Sequence, residues 1–289
     1  MLKWWNKSYM KIILSRKGFD SQYGGYPSPI IDGRLLSLPI PSEDNIRYSD
    51  LMIDGKLTYY NVMKELKPKI KVINNKGVWE RKLLEENTTC HLDPDIYRNI
   101  IERPNNWRPL FGQVNAAQCH LKKQEIKEGD LFLFFGWFKK TKYSKGKIIF
   151  DPNEPRGGKH IIFGYFQIGD IFINRDVPKW MEYHPHAQKS LAECKNNTIY
   201  VARKRLSWDD NIDGSGTFNY RQELVLTKEG YSRSRWNLDA IKNVEISYHN
   251  KESWKYDYFQ SAAKGQEFVI KDDPTVEKWV KKLISSRED

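Results

Sequence analysis

The sequence predicts an α+β fold of mixed α/β character, in which an N-terminal mixed part is fused to a β-rich part. Three observations predict it. Apolar residues recur at helical spacing at Tyr59, Val62, Met63 and Leu66. From residue 126 the pattern changes to aromatic-rich runs of strand length. The C-terminal stretch again carries an apolar helical stripe. We therefore expect a short appendage (1–9) and a single domain (10–289), made of a mixed part (10–125), a β-rich part (126–270) and a final helix (273–286).

The mixed part begins with a short strand pattern, Lys11–Ser15. The next segment, residues 16–33, is dense in glycine and proline and is predicted to be a loop. A helix over Tyr59–Leu66 ends before Pro68. A second helix is predicted to open at Asp93, with Pro94 in its first turn.

The β-rich part contains six runs that predict strands, separated by turn residues. They are GDLFLFFGWF (129–138), GKIIF (146–150), HIIFGYFQIGDIFI (160–173), NTIYVA (197–202), RQELVLT (221–227) and NVEISYH (243–249). The final helix has Asp273 as its N-cap and Pro274 as its first residue. Because no flexible linker separates the two parts, we expect one fused unit.

Composition limits the functional classes. The chain has 289 residues, 39% hydrophobic and 29% charged, which excludes a disordered chain and can fill a core. The longest apolar run, Leu131–Phe138, is far shorter than the roughly 20 residues of a transmembrane helix. The first residues lack the apolar core and cleavage site of a signal peptide. We therefore expect a cytoplasmic protein with no membrane partner.

The charge indicates a phosphate-bearing partner. The formal net charge is +11, and 13% of the residues are aromatic, a combination that attracts phosphate and stacks bases. The alternative is genome bias, because Lys, Asn and Ile are all abundant. The three cysteines, Cys90, Cys119 and Cys194, form no CxxC pair and are expected to be free thiols.

The loop after the first strand is the first candidate site. It offers two cations, a carboxylate at Asp20 and flexible glycines, so its backbone amides and side chains suit an anion. The alternative is a tight glycine turn in which Asp20 caps local amides. The predicted phosphate-binding residues here are Arg16, Lys17, Ser21, Gly24 and Gly25.

Histidines and carboxylates form the second candidate site. His91, Asp93 and Asp95 alternate before the predicted helix, where they could bind a hard cation or perform acid–base chemistry. The simpler alternative is that Asp93 caps the helix and Asp95 favours its dipole. His120 and His160 complete the predicted catalytic set, with Asp20.

A metal site is not predicted. His184 and His186 stand one residue apart and could ligate zinc or copper with a third ligand, but CxxC and HExxH spacings are both absent. A cysteine nucleophile is also disfavoured, because adjacent Cys and His residues on a strand point to opposite faces. No cofactor is identified.

A third candidate is the segment around Arg233 and Arg235, where alternating arginines could hold phosphate. The alternative is a solvated hairpin with surface charge.

Taken together, the ordered motifs resemble the bacterial and phage family called nucleotide modification associated domain 3. They include MKIILSRKGFDS, HLDPDI, GQVNAAQCHL, GDLFLFFGWF, HPHA, NTIYVA, SRSRWNL and GQEFV, and the resemblance covers about residues 10–285. It implies a role in making, editing or handling modified nucleotides, without a reaction. The family pattern includes Arg16, Asp20, His91, Asp93, Asp95, His120 and His160. The β-rich part also resembles PUA-like modules, which bind nucleic acids.

The leading hypothesis is an enzyme of DNA or nucleotide base modification, with basic loops on the phosphate and Asp and His groups as acid and base. The partners would be DNA or nucleotides, together with other proteins of a modification system. The first alternative is a non-catalytic reader of modified DNA in a phage or defence system. The second is a structural subunit of a modification complex.

Overall fold

The computed structural model describes residues 10–286, except 75, 156, 174–176, 189–190, 192 and 264. The predicted appendage, residues 1–9, lies outside the described residues. Within this part of the chain lie eighteen strands and three helices. The helices are α1 (Tyr59–Leu66), α2 (Asn115–Lys123) and α3 (Pro274–Ser285). The strands are β1 (Ile12–Arg16), β2 (Ser28–Ile31), β3 (Arg34–Leu35), β4 (Ile40–Arg47), β5 (Lys69–Ile73), β6 (Trp79–Leu83), β7 (Thr89–His91), β8 (Leu110–Gln113), β9 (Leu131–Ser144), β10 (Lys147–Phe150), β11 (Lys159–Ile173), β12 (Thr198–Ala202), β13 (Arg205–Leu206), β14 (Asp209–Asp213), β15 (Ser215–Thr217), β16 (Arg235–Trp236), β17 (Phe259–Gln260) and β18 (Glu267–Ile270).

A mixed sheet forms the centre of this α+β fold. Its main order is β18-β1-β9-β11-β12-β8, and β2, β3, β10 and β15 join it at the sides. The pairing of β1 with β9 is parallel, whereas β9, β11, β12 and β8 pair antiparallel in succession. Long aromatic runs make β9 and β11 the middle of this sheet, because side chains that are apolar on both faces suit a strand covered from both sides.

Both faces of the sheet are buried. Phe111, Phe132, Phe134 and Tyr200 pack together on one face. Leu14 and Phe135 belong to the other face, where Phe135 meets Trp236 edge to face. These side chains are at most 2% exposed. The sheet therefore has a packed layer on each side, which holds its strand ends in place.

The first and last helices confirm the sequence prediction. Thr58 caps α1 in a capping box with Asn61, and the helix ends before Pro68. Asp273 caps α3 by accepting from the Thr275 backbone N–H at 2.7 Å. The helix α2 was not predicted, since its polar sequence has little apolar periodicity. None of the described helices is long and apolar enough to cross a membrane.

Two predicted elements of the mixed part are wrong. Residues 16–33 are not all loop, because Ser28–Ile31 pairs parallel with β9 beyond the point where β1 ends. No helix opens at Asp93. Its carboxylate binds the backbone of β8, and Asp95 forms an extended bridge with Leu110.

The runs at 221–227 and 243–249 also form no regular strands. The first contains a short 3₁₀ turn at Gln222–Leu224, and the second makes only an isolated bridge at Ile246. Leu224 and Ile246 are nevertheless buried, so these apolar residues serve the core without a strand ladder.

A matched pair of leucines tests this account of the sheet. Leu133 in β9 is fully buried, and Leu83 in β6 is 54% exposed. We expect Leu133→Ala to lower the free energy of unfolding by about 2–5 kcal/mol, because it leaves a cavity. Leu83→Ala should change it by less than about 0.5 kcal/mol. Urea denaturation measures both, and equal losses would contradict the assignment of β9 to the core.

Candidate functional site: a buried histidine and aspartate cluster

Four polar side chains converge beside the end of β8. We call His91, Asp93, His184 and His186 the histidine–aspartate cluster. Ligating atoms of His91, Asp93 and His186 all lie within 4.8 Å of one another. The rings of His91 and His186 are 5.3 Å apart, and His184 Nε2 lies 3.5 Å from Asp93 Oδ1. Such a group of buried polar side chains is not needed for packing.

Each of the two outer histidines has one ring nitrogen engaged away from the cluster. His91 Nδ1 lies 2.8 Å from Asp44 Oδ2, and His186 Nδ1 lies 2.8 Å from Asn197 Oδ1. Asn197 also donates to the backbone carbonyl of His186 at 2.7 Å. Since both acceptors are oxygens without protons, each Nδ1 carries the proton. The Nε2 lone pair of each ring is therefore free.

Asp93 is also held by a hydrogen bond to one of its two polar atoms. Its Oδ1 accepts from the backbone N–H of Gly112 at 2.7 Å. Gly112 lies in β8 directly under the ring of His186: a Cβ built on it would come 2.1 Å from His186 Cγ. Only glycine therefore lets strand and ring approach this closely.

His184 is fully buried and incompletely bonded. Its Nδ1 accepts from the His186 backbone N–H at 3.3 Å, so its proton is on Nε2. Apart from the 3.5 Å approach to Asp93, that Nε2 has no hydrogen-bond partner among the described residues. It therefore points its donor at the Asp93 carboxylate.

The electrostatics of the cluster favour an ionised aspartate and a neutral histidine. Burial alone would raise the pKa of the Asp93 carboxyl, but a hydrogen bond from His184 and the positive charge of Lys17 oppose it. The net pKa is below the usual value. Burial lowers the pKa of His186 to about 4, against the opposing charge of Asp93. The pair at neutral pH is thus a carboxylate and an uncharged imidazole.

A second buried polar group adjoins the cluster. Lys17 Nζ binds Glu267 Oε1 at 3.1 Å and lies over the ring of Phe111. Gln113 donates to the same Glu267 oxygen at 2.6 Å, whereas Glu267 Oε2 is buried without a partner among the described residues. Gly18, the next residue after Lys17, and Asp93 line one small cavity. The predicted phosphate-binding Lys17 therefore lies beside the cluster.

Asp95 does not join the cluster, although the sequence placed it in the catalytic set. It is fully buried and forms a bidentate ion pair with Arg103, and it accepts from Tyr183 Oη at 2.6 Å. Trp107 donates to the same Tyr183 hydroxyl at 2.7 Å. Asp95 instead ties the segment that carries Asp93 to the residue next to His184.

Arg16 lies on the opposite face of the sheet from Lys17. Its guanidinium lies over Phe268 and donates to the carbonyl of Ala262 at 2.9 Å, and its Nε is buried without a partner among the described residues. Burial lowers the pKa of Arg16, Asp20 opposes this, and Arg233 adds to it. Arg16, Asp20 and Arg233 are thus close enough to interact.

The turn alternative describes Asp20 better than a catalytic role does. Its Oδ1 accepts from the backbone N–H groups of Gln22 and Tyr23. Gly24 follows with a positive φ, and a Cβ there would fall 2.0 Å from the Phe19 ring. Both features shape a turn.

The remaining members of the predicted phosphate set are separated. Ser21 is exposed and its carbonyl accepts from Lys71, beside which Gly25 packs. Arg233 stacks 3.9 Å from the centre of the Trp137 ring. Arg235 lies over Tyr258 at 5.0 Å.

His120 and His160 also stand apart. His160 is buried among aromatic rings, and its Nδ1 accepts from Trp236 Nε1 at 3.1 Å. Burial lowers its pKa well below the usual value. His120 contacts Ser247 Oγ at 3.0 Å and the ring of Tyr248. The structure therefore brings together Lys17, His91 and Asp93, with His184 and His186, and leaves the other predicted catalytic residues elsewhere.

Sequence reasoning missed several residues that surround the candidate site. Gln113, Asn197 and Glu267 lie within the motifs GQVNAAQCHL, NTIYVA and GQEFV, and Asp44 lies in none of them, but no local pattern places these four residues around the cluster. The His-Pro-His pattern singled out His186, but its third partner was not identified, because residues 91–93 are distant in the chain. The residues that could hold a metal ion are His91, Asp93 and His186.

The comparison with known proteins agrees with the sequence motifs. The family model described as nucleotide modification associated domain 3 matches residues 11–271. The chain belongs to this family. Its name indicates involvement in nucleotide modification. No curated protein and no solved structure gives a significant match. Lys17 and all four residues of the cluster lie within the matched range.

Gly112 offers a test of the site geometry. Gly112→Ala places a methyl group into the His186 ring, so we expect a loss of about 1–3 kcal/mol in the free energy of unfolding. Gly157→Ala is the control, since nothing lies within 4 Å of its added Cβ. Urea denaturation compares the two. Similar stability of both variants would mean that β8 does not pass under His186.

Proposed function

We propose that the protein is an enzyme that modifies nucleotide bases, in DNA or as free nucleotides, at the histidine–aspartate cluster. The observation that carries this proposal is the cluster itself. Burying a carboxylate and three imidazoles costs free energy, and a chain that needed only stability would fill the space with apolar side chains. Clusters of buried titratable side chains are typical of catalytic sites.

The incomplete bonding supports the same proposal. Glu267 Oε2 and His184 Nε2 are buried without full partners among the described residues. Buried polar atoms are normally hydrogen-bonded, so the unpaired Glu267 Oε2 and the long 3.5 Å approach of His184 Nε2 to Asp93 mark a place whose polar groups the protein alone does not fully satisfy. A nucleobase carries both donors and acceptors on its edge and suits such a place.

The two arginines would bind the phosphate. Lys17 lies beside the cluster but is paired with Glu267, whereas Arg16 and Arg233 stand at the same strand end on the other face. Neither arginine forms an ion pair with a carboxylate among the described residues. Guanidinium groups that lack a carboxylate partner suit phosphate oxygens. We retain His91 and Asp93 as proposed acid–base residues. The side chains of the other predicted catalytic residues form contacts outside the cluster; these are Asp20, Asp95, His120 and His160.

Nucleoside mass spectrometry tests the proposal. DNA and nucleotide pools would be compared from cells that express the native chain, Asp93→Asn, Asp210→Asn or no protein. Asp210 is an exposed aspartate, which makes it the matched control. We expect a new nucleoside mass with the native chain and Asp210→Asn and none with Asp93→Asn, because the neutral amide removes the buried charge.

The two sample types separate the substrates. A new mass confined to hydrolysed DNA indicates a polymer substrate, and one in the pool indicates free nucleotides. A new mass that persists with Asp93→Asn would place the chemistry outside the cluster. No new mass with the native chain would contradict the enzyme proposal.

A reader of modified DNA is the second candidate. It is favoured by cation–aromatic pairs of Arg233 with Trp137 and of Arg235 with Tyr258, since such pairs suit stacked bases and phosphates. A reader in a phage or defence system would bind without turnover.

Fluorescence anisotropy with plain and modified oligonucleotides at several salt concentrations tests this candidate. We expect affinity to fall steeply with salt. Arg233→Ala and Arg235→Ala should each reduce the slope of log affinity against log salt by about one. Lys242→Ala is the control, because this lysine is exposed. Slopes that are equal in all variants would contradict an interface at these arginines.

A further inference from the structure

We propose that His91, Asp93 and His186 bind one divalent first-row transition-metal ion. No reaction step is needed for this inference, and it stands independently of the proposed function.

The free atoms of the three residues carry the argument. His91 and His186 each use Nδ1 for an outer oxygen, which leaves both Nε2 lone pairs free. Asp93 uses Oδ1 for the Gly112 N–H, which leaves Oδ2. None of these three remaining atoms takes part in a hydrogen bond within the described part of the chain. Yet one potential ligand atom from each residue lies within 4.8 Å of the other two. Because Nδ1 of both histidines and Oδ1 of Asp93 are already engaged, a single ion held by the three residues would use the free atoms.

The donor set identifies the class of ion. Two imidazole nitrogens and one carboxylate oxygen suit Fe²⁺, Co²⁺, Zn²⁺ and their neighbours better than Mg²⁺ or Ca²⁺, which prefer oxygen ligands. Three protein ligands leave coordination positions open. Open positions are the mark of a metal site that binds substrate or water, in contrast to a closed structural site.

The outer partners fit this assignment. Histidines that ligate a metal commonly donate their second ring N–H to a carboxylate or an amide or carbonyl oxygen, which fixes ring orientation. Asp44 serves His91 and Asn197 serves His186 in this way. His184 carries its proton on Nε2, so it positions the Asp93 carboxylate rather than ligating.

The burial of the group supports it further. The side chain of His186 is 3% exposed, that of Asp93 is 4% exposed, and that of His91 is 17% exposed. Solvent therefore reaches the site mainly past His91. A coordinated ion would therefore have its open side toward His91.

Metal binding by the purified full-length chain tests the proposal. The protein would be stripped with a chelator and titrated with Co²⁺, with Zn²⁺, and with Fe²⁺ without oxygen, and the bound metal measured by mass spectrometry. We expect one ion per chain. Bound Co²⁺ should give visible absorption bands without the strong sulfur-to-metal band of cysteine ligands. A native chain that binds no stoichiometric ion would overturn the proposal.

Ligand variants locate the ion. His91→Ala, His186→Ala and Asp93→Asn should each weaken binding by more than about 100-fold, beyond the loss expected for an outer partner. His120→Ala is the control and should bind like the native chain, because its ring contacts Ser247 and Tyr248 instead. Native-like affinity in all three ligand variants would place the ion elsewhere and overturn the assignment.

A variant of Asp44, the hydrogen-bond partner of His91, controls for loss of folding. Asp44→Asn keeps the shape of the side chain, so we expect an unchanged melting temperature of the metal-free chain and an affinity about 10–100-fold lower. An affinity equal to that of the native chain would contradict the positioning role of Asp44.

If the ion binds and no new nucleoside appears, the metal site stands and the proposed function fails. If no ion binds and the new nucleoside still appears, the proposed function stands and the metal site fails.

Discussion

The buried charge of Asp93 is the constraint on which the rest of the site depends. A carboxylate in this position is stable only if donors and positive charge surround it. The Gly112 N–H, His184 and Lys17 supply them. Each of these in turn needs a partner: His184 is fixed by the backbone of His186, and Lys17 is neutralised by Glu267. The network thus extends outward from Asp93 through His184 and Lys17 to His186 and Glu267.

The central sheet makes this network possible. Pairing of β12 with β8 sets Thr198 opposite Gln113, so Asn197 arrives next to the strand that carries Gly112. Pairing of β1 with β18 sets Ser15 opposite Glu267, which brings that carboxylate under Lys17. Strand register thus brings segments that are far apart in the chain together at the cluster. The alternation of side chains along β1 sends Lys17 to the cluster and Arg16 to the opposite face.

Local signals predicted the elements that local forces determine. The apolar spacing of Tyr59–Leu66 with Pro68, the Asp273 cap, and the aromatic runs of β9 and β11 each act within a few residues, and the corresponding elements were found. The predicted helix at Asp93 failed because tertiary bonds replaced capping: Asp93 binds Gly112 and Asp95 binds Arg103. In the site, the His91–Asp93 pattern and Lys17 were visible in the sequence. His186 could not be joined to them without knowledge of the strand order, and Asn197 and Glu267 gain their roles only from register.

The close approach of β8 to an imidazole has a consequence for recognising related molecules. A residue with any side chain at position 112 would displace the His186 ring, so a chain that shares this site must have glycine there. The site is therefore marked by three short, widely spaced patterns: His-x-Asp, a glycine in a buried strand, and the second histidine of His-Pro-His. A chain can resemble this one over most of its length and still lack the site, if that single glycine is replaced.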